Sequence, residues 1–380
     1  MVYTILHCAD VHLEASFAAS GLAGSVGTWR RTDLRATLGR ILTLARERQV
    51  NAVTIAGDLY EQDYVLPETA DFLVQQFARL APIRVLVAPG EHDPHTTDSL
   101  YALARWPENV TIFTQGQLAP VELAQDIHLW GAACPPSGED RTLDRFQVEP
   151  EGVNLLLLHA TDTPQHNSGG RSLFIVGADA VRHAGFHFAL LGHQHASRLW
   201  PAESPYCLYP GSPEPLTCEE TEDIHQVALL TIQDGICTPE MIPLSQWRYL
   251  SWHVDLTGCE SVAEAGARVE RAVRSKRGGD QDRTVGRVTL TGRPNFELHL
   301  ATLAEQVAVR AHLHYDVQLS PSYKLEQLAE EQTARGLLVR RFQAQLDNAK
   351  SPRERSQTEG ALHCALRALE GKQMSIDEVS

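Results

Sequence analysis

The sequence of 380 residues predicts an α/β fold in which mixed sheets are flanked by helices. Through the first 245 or so residues, short apolar runs alternate with segments of helical periodicity. The early runs are continuously apolar, which is typical of strands buried on both faces of a largely parallel sheet. The connections between later runs are shorter, which favours a mixed α/β sandwich over a doubly wound sheet.

The apolar runs of this first part define its strands. The predicted strands are Tyr3–Cys8, Asn51–Ala56, Arg84–Ala88, Val110–Thr114, Ile127–Ala132, Val153–Leu158, Phe188–Leu191 and Val227–Ile232. Two amphipathic helices separate the first three strands. Leu34, Leu38 and Ile41 recur at helical spacing in the first helix, and Pro67 begins the second.

The remaining sequence divides into two further parts, so that we predict domains at 1–245, 246–320 and 321–380. The middle part predicts a small α+β capping domain, with strands at Tyr249–Leu256, Val288–Leu290 and Val309–Leu319 and helices at Val262–Arg274 and Phe296–Gln306. The last part has no strand pattern and is rich in helix-forming residues, and Pro352 can begin its second helix. The apolar stripe of this helical tail either packs on the protein's own domain or binds a partner protein in a groove.

Composition narrows the class of protein. The net charge of -15 argues against a protein that coats DNA through its overall field, although it leaves room for a local basic groove. The seven cysteines are scattered without a Cys-x-x-Cys pair, which favours a reducing cytoplasm over a disulfide framework. The first residues lack a basic region, and no apolar run approaches the ~18 residues of a membrane span. We therefore expect a cytoplasmic protein without a signal peptide.

Five short segments carry candidate metal ligands, and each falls at the end of an apolar run. The segments are Asp10-Val11-His12, Gly57-Asp58, Gly90-Glu91-His92-Asp93, His159 and Gly192-His193-Gln194-His195. In α/β folds, the carboxyl edge of the sheet is where ligands bind. Ligands two residues apart point to the same side of an extended chain. The glycines before Asp58, Glu91 and His193 let the backbone turn sharply into the site.

The mixture of carboxylate and imidazole ligands indicates the kind of metal. It suits manganese, iron(II) or zinc better than calcium or magnesium. Two such ions ~3.5–4 Å apart would clamp a phosphate, lower the pKa of a bound water and support in-line attack on phosphorus. His92 stands next to a ligand, where it can act as a general acid or orient the phosphate. The sequence therefore predicts a two-metal phosphoesterase site.

The five segments resemble the calcineurin-like metallophosphoesterase superfamily, whose pattern is D-x-H, G-D, G-N-H-[DE], H and G-H-x-H. The stretch Tyr209–Pro215 (YPGSPEP) is similar to the SbcD-like branch of DNA-repair exonucleases, which includes relatives typified by YhaO. The small α+β domain and the helical tail also match that branch. The resemblance implies a four-layer α/β sandwich with a capping domain.

The resemblance also implies a role for each ligand residue. One ion would be held by Asp10, His12 and His195, the other by Glu91, His159 and His193, with Asp58 bridging the two. A metal-bound hydroxide would attack the phosphodiester with His92 assisting as the catalytic histidine. The ions would be two divalent metals, Mn²⁺ before Fe²⁺ or Zn²⁺. The branch further implies DNA as the substrate, a homodimer through the helix near Leu34–Ala45, and an SMC-like, SbcC-type ATPase gripping the C-terminal helices.

Glu91 departs from the family pattern, because an asparagine is expected there. The glutamate is one methylene longer and adds a third carboxylate to the two divalent ions. One extra charge at ~4 Å and an effective dielectric of ~20 is worth roughly 4 kcal/mol, enough to change affinity and rate. Three outcomes follow: Glu91 ligates and tunes the site, it swings away and weakens the second ion, or the site is degenerate.

Three functions are therefore open. The first is a DNA exo- and endonuclease subunit of an SbcC–SbcD-like complex. The second is a small-molecule phosphodiesterase or phosphatase of the same fold. The third is a metal-binding scaffold for an SMC-like ATPase, with little turnover because of Glu91. The run of Arg30, Arg31, Arg35 and Arg40 either contacts phosphates or forms a solvated helix face or dimer rim.

Overall fold

The computed structural model describes residues 2–17, 24–134, 139–140, 142–149, 151–162, 173–204, 206–221, 223–276, 283–319, 323 and 325–369. Two compact units make up the chain. The first comprises Met1–Ser251 with Gly279–Gly286, and the second comprises Trp252–Gly278 with Arg287–Ser380. Residues 321, 322, 324 and 370–380 of the predicted helical tail (321–380) lie outside the described residues.

The strands and helices are numbered in chain order. The strands are β1 (Val2–Cys8), β2 (Ala52–Ala56), β3 (Arg84–Ala88), β4 (Val110–Ile112), β5 (Ala119–Ala124), β6 (Ile127–Gly131), β7 (Glu139–Asp140), β8 (Val153–Thr161), β9 (Leu173–Ile175), β10 (Phe188–Gly192), β11 (Arg198–Trp200), β12 (Cys207–Tyr209), β13 (Gln226–Gln233), β14 (Ile236–Pro243), β15 (Arg248–Asp255), β16 (Thr284–Gly292) and β17 (His312–Leu319). The helices are α1 (Ser25–Glu47), α2 (Pro67–Ala78), α3 (Leu100–Leu103), α4 (Ala178–His183), α5 (Val262–Ser275), α6 (Leu300–Gln306), α7 (Leu325–Glu330), α8 (Ala334–Asp347) and α9 (Pro352–Leu369).

Two mixed sheets form the first unit. One has the strand order β14-β13-β1-β2-β3-β4, in which β1 to β4 are parallel, β13 pairs antiparallel with β1, and β14 pairs antiparallel with β13. The other has the order β11-β12-β10-β8-β6-β5, with the short β9 paired to β8 and β7 paired to β9. In it β12, β10, β8 and β6 are parallel. The predicted class, mixed sheets flanked by helices, is confirmed.

Alternation along the strands explains the layers. Ile5 of β1 is buried in a core shared with the second sheet, which includes Leu155 and Leu191. Leu6, the next residue, lies in a different core with Leu38 of α1 and Phe77 of α2. Successive side chains of a strand point to opposite faces, so a sheet covered on both faces needs an apolar side chain at every position. This is why the strands are apolar throughout.

The sequence prediction missed six strands, each of them either at the edge of a sheet or only three residues long. These are β5, β7, β9, β11, β12 and β14, several of them only two or three residues long. The fourth residue of β14 is Pro239, and the side chains of β14 are exposed or half-buried throughout the strand. Edge strands tolerate proline and carry weak hydrophobic patterns, because one side of their backbone has no strand partner. The predicted helix at Phe296–Gln306 is also shorter, since α6 begins at Leu300.

A third sheet, most of whose residues belong to the second unit, is accompanied in that unit by helices. Its strand order is β15-β16-β17. Helix α5 begins after Ser261, whose side chain accepts a hydrogen bond from the Glu264 N–H. The first predicted tail helix is divided into α7 and α8, and these pack with α9 around Leu328, Val339 and Leu362. The apolar stripe of the tail is therefore buried largely among its own helices.

The arginine run of α1 is not a solvated helix face. Arg30 is completely buried, with its guanidinium 4.5 Å from the ring centre of Trp247 and its Nη2 donating to the Pro215 carbonyl. Arg35 pairs with Glu14, and Arg40 lies 2.7 Å from Glu214. The solvated-face interpretation is wrong for Arg30, because aromatic side chains and a carbonyl take the place of water around it.

Candidate metal centre

The predicted ligands converge where the two sheets meet at the carboxyl ends of their parallel strands. In the first sheet, Asp10 follows β1, Asp58 follows β2 and Glu91 follows β3. In the second sheet, His193 follows β10 directly. His159 differs from its predicted place, since it lies within β8 rather than at its end, and pairs with Gly192 of β10. The register still delivers its ring to the same edge.

Two groups of three side chains form at this edge. The first consists of Asp10, His12 and His195, and the second of Glu91, His159 and His193. Within each group the potential ligand atoms lie within 4.8 Å of one another. The structure thus brings together all seven residues that the sequence proposes as ligands, with Asp58 grouped with Asp10 and His159.

Asp58 stands between the two groups. Its Oδ2 is 3.6 Å from Nε2 of His12 and 3.4 Å from Nε2 of His159. Both nitrogens are buried and have no hydrogen-bond partner among the described residues. Buried polar atoms in native proteins are almost always hydrogen bonded, so two such nitrogens facing one carboxylate fit a site for a pair of cations. The donor set of oxygens and imidazoles fits divalent ions of the manganese, iron or zinc type.

Hydrogen bonds at Nδ1, the ring nitrogen that does not face Asp58, orient the rings of His12 and His159. Nδ1 of His12 lies 2.6 Å from Glu61 Oε1, and Nδ1 of His159 lies 3.0 Å from the Ala56 carbonyl oxygen. A carbonyl oxygen only accepts, so Nδ1 of His159 carries a hydrogen, and Nε2 is the nitrogen that faces Asp58. Metal-binding histidines are commonly held in this way by a carboxylate or a main-chain carbonyl.

Glu91 points into the second group rather than away from it. Its Oε1 is 3.3 Å from Nδ1 of His193, and only about a tenth of its side chain is exposed. Burial opposes ionisation, but hydrogen bonding with His193 and the nearby His159 lower the pKa of Glu91 below its ordinary value. Burial likewise opposes ionisation of Asp58, yet His159, His12 and His92 lower its pKa. Both carboxylates are therefore anionic near neutral pH.

His92 shares a carboxylate with His12. Nδ1 of His92 lies 2.8 Å from Glu61 Oε2, while Glu61 Oε1 holds His12. Burial opposes ionisation of Glu61, but the hydrogen bonds with both histidines lower its pKa well below the usual range. The sequence analysis missed Glu61, because a position three residues after Asp58 is only a weak signal in a chain with 48 acidic residues. This glutamate fixes two rings at once.

Asp93 joins two of the ligand segments. Its carboxylate accepts hydrogen bonds from the N–H groups of Asp58, Leu59 and Gly90 and from the hydroxyl of Tyr101. Burial and the neighbouring Asp58 raise the pKa of Asp93 to about 7, although the hydrogen bonds from Tyr101, Gly90 and Leu59 oppose this shift. Asp93 therefore aligns the segments after β2 and β3, a role that its place in the Gly90–Asp93 motif did not reveal.

The backbone is strained at four of the seven ligand residues. The φ angles of Asp10, His12, Asp58 and His193 are 54°, 49°, 51° and 101°. Residues other than glycine rarely adopt positive φ, and such conformations concentrate at functional sites. The strained backbone is retained at these residues because each bend directs a side chain from the strand into the site.

His195 is held by a residue that lies far along the chain. Its Nδ1 is 3.1 Å from Oε1 of Glu220, which the sequence analysis did not single out. Burial of the ring acts to lower the pKa of His195, but Glu220 and Asp10 outweigh burial and raise this pKa to about 9. Burial acts to raise the pKa of Glu220, but the hydrogen bond from His195 outweighs burial and lowers this pKa to about 2. Metal binding to this ring must therefore displace a proton at neutral pH.

A two-sheet α/β sandwich with clustered carboxylates and histidines at its strand ends defines a metal-dependent hydrolase of phosphate esters. Residues 3–197 match the family model described as calcineurin-like phosphoesterase. The chain therefore belongs to the calcineurin-like phosphoesterase family. The family acts on phosphoester bonds, and the site residues fit the divalent metals on which such hydrolases depend.

Known proteins similar to this chain include one curated relative. It is "Uncharacterized metallophosphoesterase YhaO" of Bacillus subtilis (strain 168), 26% identical over 234 residues. The match covers 58% of this chain and 55% of the relative, so the chain spans about half the length of that protein.

Two solved structures are also similar. One is TT1561 of Thermus thermophilus, at 13% identity and a TM-score of 0.38, covering 63% of this chain and 99% of that one. The other is a predicted phosphoesterase from Streptococcus pneumoniae TIGR4, at 14% identity and a TM-score of 0.30, covering 64% of this chain and 90% of that one. None of the helices in the described part of the chain has the length and hydropathy of a membrane span.

Proposed function

We propose that this protein is a two-metal phosphodiesterase that cleaves DNA. The observation that carries the proposal is the position of Asp58 between two ligand groups, with the unpartnered Nε2 atoms of His12 and His159 on its Oδ2. One carboxylate placed between two groups of three ligands can hold two divalent ions side by side, as in two-metal hydrolases. In this proposal the seven ligand residues hold two divalent ions, Mn²⁺ before Fe²⁺ or Zn²⁺.

The residues of the chain have distinct tasks in such a reaction. When bound, the two ions would neutralise phosphate charge and lower the pKa of a water. Glu61 holds the ring of His92 through Nδ1, and the ring is 28% exposed, so that a substrate phosphate can reach it. His92 can then donate a hydrogen bond to the phosphate or a proton to the leaving oxygen. The anionic Glu61 stabilises the ring when it is protonated.

DNA is the substrate that the branch resemblance favours. The stretch Tyr209–Pro215 resembles the SbcD-like branch, and the chain has a second unit whose last three helices are α7 to α9. In the proposed complex, an SMC-like ATPase binds α7 to α9, where Leu337 and Leu369 are exposed although Leu362 and Leu366 are buried. We further propose a homodimer. All seven cysteines are free thiols, which supports the cytoplasm as the compartment.

A substrate comparison tests the proposal. We expect Mn²⁺-dependent cleavage of linear DNA, with bis-p-nitrophenyl phosphate cleaved more slowly. His92→Gln should lower kcat by ~10² to 10⁴, the usual contribution of a general acid. The matched control is His183→Gln, because His183 is exposed on α4 away from the ligand groups. Faster turnover of the small diester would support a small-molecule enzyme instead. Metal binding with no cleavage that depends on His92 would support a scaffold.

The charge of Glu91 has its own expected effect. Glu91→Asn removes one of three carboxylates, so that the Mn²⁺ concentration for half-maximal activity should rise about tenfold or more. At saturating Mn²⁺, kcat/KM for DNA should increase, because the phosphodiester meets less negative charge. Glu91→Gln removes the charge but keeps the length of the side chain, and should show the same direction. Unchanged kinetics in both variants would contradict any special role for this charge.

A further inference from the structure

A segment downstream of the family match holds His195 by both its backbone and its ring. The family model ends at residue 197, yet the Ser212 N–H donates to the His195 carbonyl oxygen at 3.0 Å. A Cβ on Gly211 would lie 2.6 Å from the same oxygen, so only glycine allows this close approach. Eight residues beyond Ser212, Glu220 contacts the ring at Nδ1. The loop after β12 therefore belongs to the metal centre.

Glu220 has hydrogen-bond donors on both of its oxygens. Its Oε1 accepts from the main-chain N–H and the hydroxyl of Thr217 at 3.1 and 3.2 Å, besides Nδ1 of His195. Its Oε2 accepts from the Leu216 N–H at 3.2 Å and the Ser212 hydroxyl at 3.3 Å. The side chain is almost completely buried, with 10% exposed. A buried carboxylate that meets five donors and acts only as an acceptor is matched to its surroundings.

His225 settles the direction of the hydrogen bonds at the other end. Its Nδ1 is 3.0 Å from the Ser212 carbonyl oxygen and 3.1 Å from the Ser212 hydroxyl oxygen. A carbonyl oxygen cannot donate, so Nδ1 of His225 carries the hydrogen. The Ser212 hydroxyl is then free to donate its own hydrogen to Glu220. His225, Ser212, Glu220 and His195 thus form one connected set of hydrogen bonds in which Glu220 accepts from both sides.

We infer that Glu220 is the positioning residue for His195 as a metal ligand. Because Glu220 only accepts, Nδ1 of His195 must donate, and Nε2 is the nitrogen left for the group with Asp10 and His12. Ser212 and His225 keep Glu220 from turning away. The inference rests on the proposed two-metal site and adds to it a residue 25 positions beyond the last ligand in sequence. Its effect is on the metal group of Asp10 rather than that of Glu91.

Metal binding by the Glu220→Gln variant tests this role. Calorimetric titration of the metal-free full chain with Mn²⁺ should show one of two ions bound ~10- to 100-fold more weakly, the usual cost of losing such a partner. The ion held by Glu91, His159 and His193 should keep its affinity. Two matched controls separate loss of the Glu220–His195 contact from general destabilisation of the protein. Glu219→Gln is the same change at an adjacent residue that is not buried, and Glu214→Gln is the same change at a buried carboxylate that pairs with Arg40 instead.

A spectroscopic readout needs neither metal nor DNA. The hydrogen-bonded Nδ1 proton of His195 should give a downfield proton resonance in the metal-free protein, assigned by its loss in His195→Gln. Glu220→Gln should shift or remove it, and Glu219→Gln should not. The inference is overturned if folded Glu220→Gln keeps both Mn²⁺ affinities or the resonance, or if Glu214→Gln weakens the same ion equally. If Glu220→Gln does not fold, Glu220→Asp replaces it, with the same outcomes. Failure to cleave DNA would reject the proposed function but leave this test intact.

Discussion

Asp58→Asn should abolish phosphodiesterase activity, with kcat/KM falling by about 10³-fold or more. Loss of a residue that only orients a metal ligand typically costs about 10- to 100-fold, and Asp58 faces ligands of both groups directly. Its Oδ2 lies 3.6 and 3.4 Å from the two unpartnered histidine nitrogens, so that removing the charge weakens both proposed ions together. The measurements are Mn²⁺ stoichiometry and cleavage of linear DNA by the same preparation.

The matched control is Asp234→Asn. Asp234 has φ 53°, close to the 51° of Asp58, but lies in the exposed turn between β13 and β14. The chemical change and the backbone conformation are thus the same, while the metal centre is left intact. We expect wild-type activity in this variant. Two Mn²⁺ ions bound with unchanged affinity in folded Asp58→Asn would contradict the bridging role.

Gly192→Ala should destabilise the first unit by about 3 kcal/mol, at the upper end of overpacking costs. A Cβ at this position would overlap the Ala56 carbonyl oxygen and lie 2.8 Å from the Cβ of Ala9. Ala56 ends β2 and Ala9 follows β1, so the added methyl would force the two sheets apart beside the ligands. A backbone carbonyl held in a sheet cannot move aside as a flexible side chain can. Urea denaturation of the metal-free protein measures the loss, and Mn²⁺ titration measures the effect on the site.

Gly39→Ala provides the opposite expectation for the same substitution. Gly39 lies within α1, where a new Cβ would meet no atom within 4 Å outside its own helix. Alanine is preferred to glycine in a helix by roughly 0.5–1 kcal/mol, so this variant should be slightly more stable than the wild type. Equal stability of Gly192→Ala and the wild type would show that the sheets do not approach each other as closely as described.

Glycine is required before two of the ligands for a different reason from the one that the sequence suggested. The motif pattern predicted that the glycines before Asp58, Glu91 and His193 allow sharp turns. Gly57 does have a positive φ of 79°, but Gly90 and Gly192 do not. At Gly90 a Cβ would lie 2.7 Å from the Asp58 backbone nitrogen, so what matters there is space between neighbouring segments. Short motifs indicate where glycine is required, but they do not separate conformation from close approach.

The residues that orient the ligands were harder to predict than the ligands. Glu61 and Glu220 carry little signal of their own in a chain with 48 acidic residues. Each becomes significant only through contacts across the fold: Glu61 with His12, and Glu220 with His195. Arg30 was also mispredicted from sequence alone. The run of arginines predicts a solvated helix face, but the guanidinium of Arg30 is completely buried.

The sequence alone determined the α/β class and the seven candidate ligands, because hydrophobic period and position after a strand are local properties of the chain. An apolar run ending in Asp10 or Asp58 reveals which sheet edge the carboxylate will occupy. Only the tertiary structure decided that Glu91 points inward, that Asp58 faces two unpartnered nitrogens, and that Glu220 holds His195. These relations depend on the register and distance between two sheets, and the pattern of apolar residues specifies the faces of strands but not their partners.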